Sequence, residues 1–307
     1  MKIKLRIYVA IILAMVFWAL SFIWFKIANE TFRPITIVCF RLIIAVVILF
    51  LYLSATRSFG KIRKGDRKLF LLLSVFEPFL YFIGESYGLT YVSATVGSVL
   101  ISTIPVFATI GAWILFRERL RVINYFGIVL SFIGVIVFII DRSGTFSYNL
   151  KGISLLFLAV FSAVGYNLTL GRLVGHYSPV FIVYVQNVIG TMLFLPVFLV
   201  FELKHLGDAT ITLNSFIPVI ELALFASCGA FILFAFSVRN MGIARANVFT
   251  NFIPIFTAVL SFFILGDKLT VQNMLGMIVV IAGLMLSQLN GRKKSVDEAL
   301  ILTGKTA

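Results

Sequence analysis

The sequence predicts an all-α integral membrane protein in which ten transmembrane helices form two inverted five-helix repeats. Three observations lead to this prediction. Hydrophobic residues make up 61% of the 307 positions and charged residues only 12%, about half the charge of a soluble domain. Apolar stretches long enough to cross ~30 Å of hydrocarbon follow one another with short connections. A sequence pattern in the first half also recurs in the second half.

The recurring pattern covers one hydrophobic hairpin in each half and matches without a gap at an offset of 149 positions. Farther upstream, Pro34 and Arg41 correspond to Pro179 and Gln186 at an offset of 145. An internal duplication in a membrane-embedded chain is typical of secondary transporters. The matched pairs in the hairpins are Pro105 and Pro254, Glu118 and Asp267, Leu120 and Leu269, Asn124 and Asn273, Gly127 and Gly276, and Gly134 and Gly283.

The predicted helices leave no room for a soluble domain between them. We assign the first repeat, helices 1 to 5, to residues 1–141 and the second repeat, helices 6 to 10, to residues 152–290. A polar tail follows at 291–307. The predicted spans are 7–28, 34–55, 69–88, 91–116, 122–140, 152–173, 178–202, 218–239, 243–265 and 271–290.

The loop charges predict the orientation of the chain, because Lys and Arg accumulate in cytoplasmic loops. The N-terminus, the loops after helices 2 and 4 and the start of the tail are rich in basic residues, whereas the alternate loops are poor in them. Both termini are therefore predicted to be cytoplasmic in a multi-pass protein of the cell (inner or plasma) membrane. Each repeat has five helices, so the second must be inverted relative to the first.

The sequence lacks the motifs that are typical of several classes of function. The chain contains no Gly-rich phosphate loop, no H-E-x-x-H motif and no paired Cys/His spacing. The net charge of +14 follows from the basic loops rather than from a nucleic-acid surface. Cys39 and Cys228 lie in apolar segments and do not indicate a disulfide. We therefore expect no enzymatic activity, no cofactor, no metal and no nucleic-acid partner.

Helix 3 carries the most informative polar residues. Glu77, Tyr81 and Glu85 are spaced four apart and are predicted to share one helix face. Ionisable groups at membrane depth are costly and usually face a cavity or a partner. Two interpretations stay open for Glu77: a site for a proton or a cationic substrate, or a buried protonated carboxyl that only bonds a neighbouring helix.

Two cationic side chains in the first repeat receive structural interpretations. Arg41 of helix 2 is predicted at a depth similar to that of Glu85, so the two are candidates for an ion pair that holds helices 2 and 3 together. Lys26, in the last turn of helix 1, is expected to extend to the membrane interface.

The two repeats also share a polar stripe that we predict to face one central site. Interhelical hydrogen bonding is the alternative interpretation of this stripe. Its members are Ser98 and Ser102 in helix 4 and Asn247 and Asn251 in helix 9, with Tyr166 and Asn167 of helix 6 and Trp18 of helix 1 placed to join them.

This ordered set of features resembles the EamA-type transporters of the drug/metabolite transporter superfamily. The resemblance implies ten helices around a central cavity that helices 1, 3, 4, 6, 8 and 9 line, with helices 5 and 10 at the periphery. The chain departs from the family pattern at Asp267 and Gln186. The resemblance is carried by Trp18, Lys26, Pro34 and Arg41, by Pro105, Glu118, Gly127 and Gly134, and by their copies Pro254, Asp267, Gly276 and Gly283.

The leading functional hypothesis is a secondary active transporter of a small organic metabolite or drug-like solute that works by alternating access. Export is favoured over import only by family analogy. Proton coupling through Glu77 is part of the hypothesis. The expected partners are a small-molecule substrate and the lipid bilayer, with the chain as a monomer or homodimer. The alternative is a lipid or polyprenyl-lipid flippase, or an integral-membrane lipid-modifying enzyme.

Overall fold

The structure is a computed structural model that describes residues 2–108, 110, 122–139, 149–208, 210–267 and 270–288. The predicted corner at Glu118, the end of the predicted fourth helix and the tail at 291–307 lie outside the described residues.

All regular secondary structure in these ranges is helical. We number the main helices in chain order, which matches the numbering of the predicted spans. They are α1 Lys2–Asn29, α2 Pro34–Ala55, α3 Lys64–Tyr91, α4 Ala94–Ala108, α5 Val122–Ile139, α6 Leu150–Leu173, α7 Pro179–Phe201, α8 Leu213–Met241, α9 Ile243–Ile264 and α10 Val271–Gln288.

Seven helices in the described part of the chain are long and apolar enough to cross a bilayer, namely α1, α2, α3, α6, α7, α8 and α9. The described apolar stretches of α4, α5 and α10 are shorter. The protein is therefore a helical, multi-span membrane protein, and the count of ten crossings stays a prediction. Helix α8 begins five residues before its predicted start, because Thr212 and Ser215 form a capping box that the apolar pattern does not reveal.

Helices α3 and α8 are interrupted at equivalent places in the two repeats. In α3 the turns widen over Val75–Leu80, where Glu77 has a non-helical backbone (φ −146°, ψ 116°) and Pro78 supplies no N–H. In α8 the wide turns cover Leu222–Ala230. The prediction of one regular helical face over Glu77 and its neighbours was therefore wrong in its geometry, and Pro78 was the sequence signal for the break.

Helices from the two repeats pack against each other in antiparallel pairs. Asn124, near the start of α5, donates from its side-chain amide to the carbonyl of Ser287 at the end of α10 (2.9 Å). Likewise, Thr36 at the start of α2 contacts Glu202 at the end of α7. Such crosswise contacts between corresponding helices are what two inverted repeats require. They leave a space between the repeats, in the middle of the bundle.

Candidate functional site

A central cavity of about 620 Å³, including its open mouth, lies between the two repeats. The helices that line it are those expected for the central cavity, with the addition of α2 through Arg41. Its polar and aromatic lining residues are Trp18, Ser21, Phe22, Arg41, Glu77, Tyr81, Phe82, Glu85, Tyr166, Asn167, Phe231, Phe234, Asn247 and Thr250.

The interrupted segment of α3 places Glu77 at the cavity. This side chain is only 6% exposed, and its carboxyl has no hydrogen bond to a described residue. One helical turn farther on, Tyr81 donates its hydroxyl to the carboxyl of Glu85 at 3.0 Å. The cavity therefore holds two carboxyl groups in different settings, since Glu85 has a hydrogen-bond partner and Glu77 does not.

Arg41 supplies the positive charge at the same cavity. Its Nε donates to the hydroxyl of Ser227 in α8 at 2.9 Å. Its guanidinium carbon lies 4.3 Å from the ring centroid of Phe82, within the range of a cation–π contact. The charge of Arg41 acts on both Glu77 and Glu85. One cation thus faces two carboxyl groups in a site that is largely shielded from water.

The candidate ion pair between Arg41 and Glu85 stays a prediction. Both side chains line the cavity, as their similar depth suggested. However, Arg41 is hydrogen-bonded to Ser227 and Glu85 to Tyr81. The structure therefore gives Arg41 an anchor in the second repeat that the sequence interpretation did not include.

We expect Arg41→Lys to lower the free energy of unfolding by about 2 kcal/mol, because lysine keeps the charge but cannot donate from Nε or stack its plane on Phe82. Thermal denaturation of the protein purified in detergent would measure the loss. Arg239→Lys, at an exposed position of α8, is the matched control and should be neutral. Equal stability of the two variants would contradict the anchoring role of Ser227.

Aromatic rings form one wall of the cavity. Trp18 meets Phe231 edge-on at 5.3 Å between ring centroids and Phe234 at 5.0 Å. Tyr166 contacts the other side of Phe231 at 5.9 Å. Trp18 lines the same cavity as Ser21 and Glu77. Such a wall suits an organic solute with apolar or aromatic parts.

Several buried polar atoms around the cavity have no hydrogen-bond partner among the described residues. They include the Tyr166 hydroxyl and the Asn247 Oδ1, and both residues line the cavity. The Tyr166 hydroxyl faces Gln186, whose Oε1 is also unpartnered. Buried polar atoms normally find a partner. Asn247 therefore contributes a cavity-lining acceptor that has no partner in the described part of the chain.

The predicted polar stripe reaches the cavity on one side only. Asn247 lines it, whereas Asn251 is buried outside the lining with both amide atoms unpartnered. Ser98 and Ser102 donate to carbonyls of their own helix, at 2.8 and 2.7 Å. This corrects the expectation that the two serines face the central site: their hydroxyls are satisfied within α4.

Lys26 has a hydrogen-bond partner that the sequence interpretation did not include. Its Nζ donates to the carbonyl of Leu89 near the end of α3, at 2.5 Å. The cation therefore binds carbonyl groups at a helix C-terminus, where positive charge is favourable.

Sequence reasoning missed some residues of the site. Ser227, the anchor of Arg41, corresponds to Pro78 at the offset of 149, so the comparison of the repeats offered no polar counterpart that pointed to it. Thr250 lies between the two asparagines that were chosen, and Ser21 lies one turn after Trp18. Within the described ranges, no group of three or more His, Cys, Asp or Glu side chains could hold a metal ion.

Fold and site together define a class: a multi-span helical membrane protein whose two repeats enclose a polar, partly aromatic cavity. Residues 5–140 and 150–289 both match the EamA-like transporter family. The chain belongs to this family of membrane transporters.

Several relatives are similar over most of their length. An uncharacterized transporter of Archaeoglobus fulgidus is 26% identical over 280 residues, which cover 91% of this chain and 97% of the relative. The uncharacterized transporter YcxC of Bacillus subtilis is 26% identical over 303 residues, 94% of each chain. A solved crystal structure aligns with a TM-score of 0.67 over 92% of this chain and 96% of its own, at 12% identity. That last likeness concerns the fold alone.

Proposed function

We propose that the protein is a secondary active transporter of a small organic solute that works by alternating access. In this proposal ten helices cross the cell membrane, both termini are cytoplasmic and the net direction is export. The two repeats rock about the central cavity and expose it to each side in turn. The family relationship supports transport, and the cavity between the repeats supports a central binding site.

One observation carries the mechanistic part of the proposal: Glu77 lines the cavity without a hydrogen bond to a described residue. A carboxyl in this setting can bind a proton or a cationic group, since a charge at membrane depth is costly unless it is paired. Exchange of a proton for an ammonium group of the solute at Glu77 would couple transport to a pH gradient. The corresponding position of the second repeat is Ala226, so only one half carries this group.

We expect that Glu77→Gln reduces pH-gradient-driven flux to the level of empty liposomes. The measurement uses proteoliposomes with a trapped pH dye and, as probes, one-ring organic amines such as benzylamine and phenethylamine. Glu221→Gln is the matched control, because Glu221 lies in α8 outside the cavity lining and should keep full flux. Full gradient-driven flux in Glu77→Gln would remove Glu77 from the mechanism.

A thermal-shift screen separates this proposal from the lipid-flippase alternative. A ligand that binds the folded state raises the melting temperature. We expect stabilisation by water-soluble organic cations and its loss in Glu77→Gln. Stabilisation by phospholipids or polyprenyl phosphates alone would favour the flippase instead.

A further inference from the structure

Phe76 and Pro78, the two residues that flank Glu77, pack against glycines of the second repeat. A Cβ atom on Gly190 of α7 would lie 2.3 Å from Cγ of Pro78. A Cβ atom on Gly165 of α6 would lie 2.7 Å from the ring of Phe76. No real Cβ atom tolerates such distances, and a proline ring cannot rotate away. The path of α3 on both sides of Glu77 therefore depends on two positions that carry no side chain.

The opposite repeat provides a comparison inside the same molecule. Ala45 of α2 corresponds to Gly190 at the offset of 145, and Ser227 of α8 corresponds to Pro78 at the offset of 149. Ala45 packs on the same part of α8, where its carbonyl lies 3.8 Å from Sγ of Cys228. An alanine is thus accommodated where the facing helix carries no proline. The position of that helix that corresponds to Glu77 is Ala226, so the glycine at position 190 occurs only opposite the Glu77–Pro78 break.

We propose that Gly165 and Gly190 are positioning residues that hold the Glu77 carboxyl at the cavity and thereby set the pH at which it exchanges its proton. This inference rests on the proposed function, because it assumes that Glu77 takes up and releases a proton during transport.

The surroundings of Glu77 make its proton affinity sensitive to position. The titratable and charged groups that face it are Glu85 and Tyr81 of α3, Arg41 of α2 and Tyr166 of α6. Arg41 is also hydrogen-bonded outside α3, to Ser227 of α8. Electrostatic energies in a dry site change steeply with distance. A shift of the Glu77 backbone relative to Arg41 therefore changes the balance between the charged and neutral carboxyl.

The fluorescence of Trp18 can report on this site without a substrate, because Trp18 lines the same cavity as Glu77. The chain has three tryptophans, and replacing Trp24 and Trp113 with phenylalanine leaves Trp18 as the only emitter. In this background, the fluorescence of the purified full-length protein is titrated with pH. We expect a transition that disappears in Glu77→Gln.

Gly190→Ala is expected to shift the midpoint of that transition by about half a pH unit or more, because the facing charges then act from a different distance. Gly171→Ala in α6 is the matched control. A Cβ atom there would lie 3.9 Å from Cδ1 of Ile243, an ordinary contact, so the midpoint should stay at the parent value. If Gly190→Ala does not fold, Gly165→Ala probes the other flank, where the Phe76 ring can tilt to make room.

An unchanged midpoint in a folded Gly190→Ala or Gly165→Ala protein would overturn the inference, and so would a parent protein without a Glu77-dependent transition. A midpoint shift of the same size in Gly171→Ala would also overturn the inference, since the effect would then not be specific to Gly165 and Gly190. The proposed function is judged separately, by the flux of Glu77→Gln in proteoliposomes. If flux depends on Glu77 but the midpoint does not move in Gly190→Ala or Gly165→Ala, the inference is wrong and the transporter proposal still holds.

Discussion

Replacement of Glu202 by alanine is expected to lower the free energy of unfolding by about 3 to 5 kcal/mol, the usual cost of breaking a buried, hydrogen-bonded charge site. Glu202 directly follows α7 and is only 3% exposed. Its carboxylate accepts hydrogen bonds from the backbone N–H and the hydroxyl of Thr36, at 2.7 and 2.8 Å. The Ile35 N–H and the Tyr87 hydroxyl add contacts at 3.3 and 3.2 Å.

The size of this effect follows from where the carboxylate lies. The first N–H groups of a helix have no partner within the helix. Helix α2 begins with Pro34, and its N-cap residue Arg33 makes no side-chain cap. Glu202 therefore caps α2 from another part of the chain, with its negative charge at the positive end of the helix. Its removal leaves buried donors unpaired in two helices of the first repeat.

Thermal denaturation in detergent measures this loss. Glu202→Gln keeps one acceptor oxygen and should fall between the parent and Glu202→Ala. Glu30→Ala changes an exposed carboxylate in the loop before α2 and should have little effect. Comparable melting temperatures for Glu202→Ala and Glu30→Ala would show that the cap is not the source of the stability.

A second contact joins α2 and α7 at the opposite end of the two helices. The Tyr177 hydroxyl, before α7, donates to Asp66 at 2.6 Å and accepts from the backbone N–H of Arg63 at 3.1 Å. Asp66 and Arg63 belong to the segment between α2 and the first full turns of α3. The start of each helix in this pair is thus held by residues that follow the end of the other helix.

The sequence predicted the chemical content of the site better than its geometry. Glu77 stood out because a carboxyl in an apolar helix needs a cavity or a partner, and this physical rule does not depend on the fold. The path of the chain around it was mispredicted, because an ideal helix was assumed across Pro78. Ser98 and Ser102 were misplaced for a local reason. A serine hydroxyl in a helix can donate to its own backbone, so its spacing alone does not show what it faces.

Long-range partners were the least predictable part. Depth along the helices suggested Glu85 as the partner of Arg41, and both residues do line one cavity. The anchor Ser227 lies 186 positions away in the chain, and nothing in either local pattern specifies that contact. The packing of α5 on α10 was not predicted either, although the duplicated hairpins carry the glycines of that contact. Their repeated glycines occupy equivalent positions, so an antiparallel pair brings them together.

Gly283→Val is expected to cost about 3 kcal/mol or more, at the upper end of overpacking effects, because the obstacle is backbone. A Cβ atom on Gly283 of α10 would lie 2.3 Å from the backbone nitrogen of Ser131 in α5. On the facing helix, a Cβ atom on Gly127 would lie 2.2 Å from the backbone nitrogen of Ser287. Neither helix can accept a side chain here unless the pair separates. Separation would also break the hydrogen bond from Asn124 to the Ser287 carbonyl.

A loss of this size corresponds to a fall of roughly 6 to 12 °C in melting temperature at about 2 to 4 °C per kcal/mol. Gly171→Val is the matched control in a helix, since only a side-chain methyl of Ile243 lies near the position. None of the described residues of α5 or α10 lines the cavity, so Gly283→Val protein that folds should still bind a stabilising ligand. If Gly283→Val and Gly171→Val had the same melting temperature, the close backbone contact would not be what holds α5 and α10 together. If it melted lower but also lost ligand binding, α5 and α10 would be part of the transport site rather than its periphery.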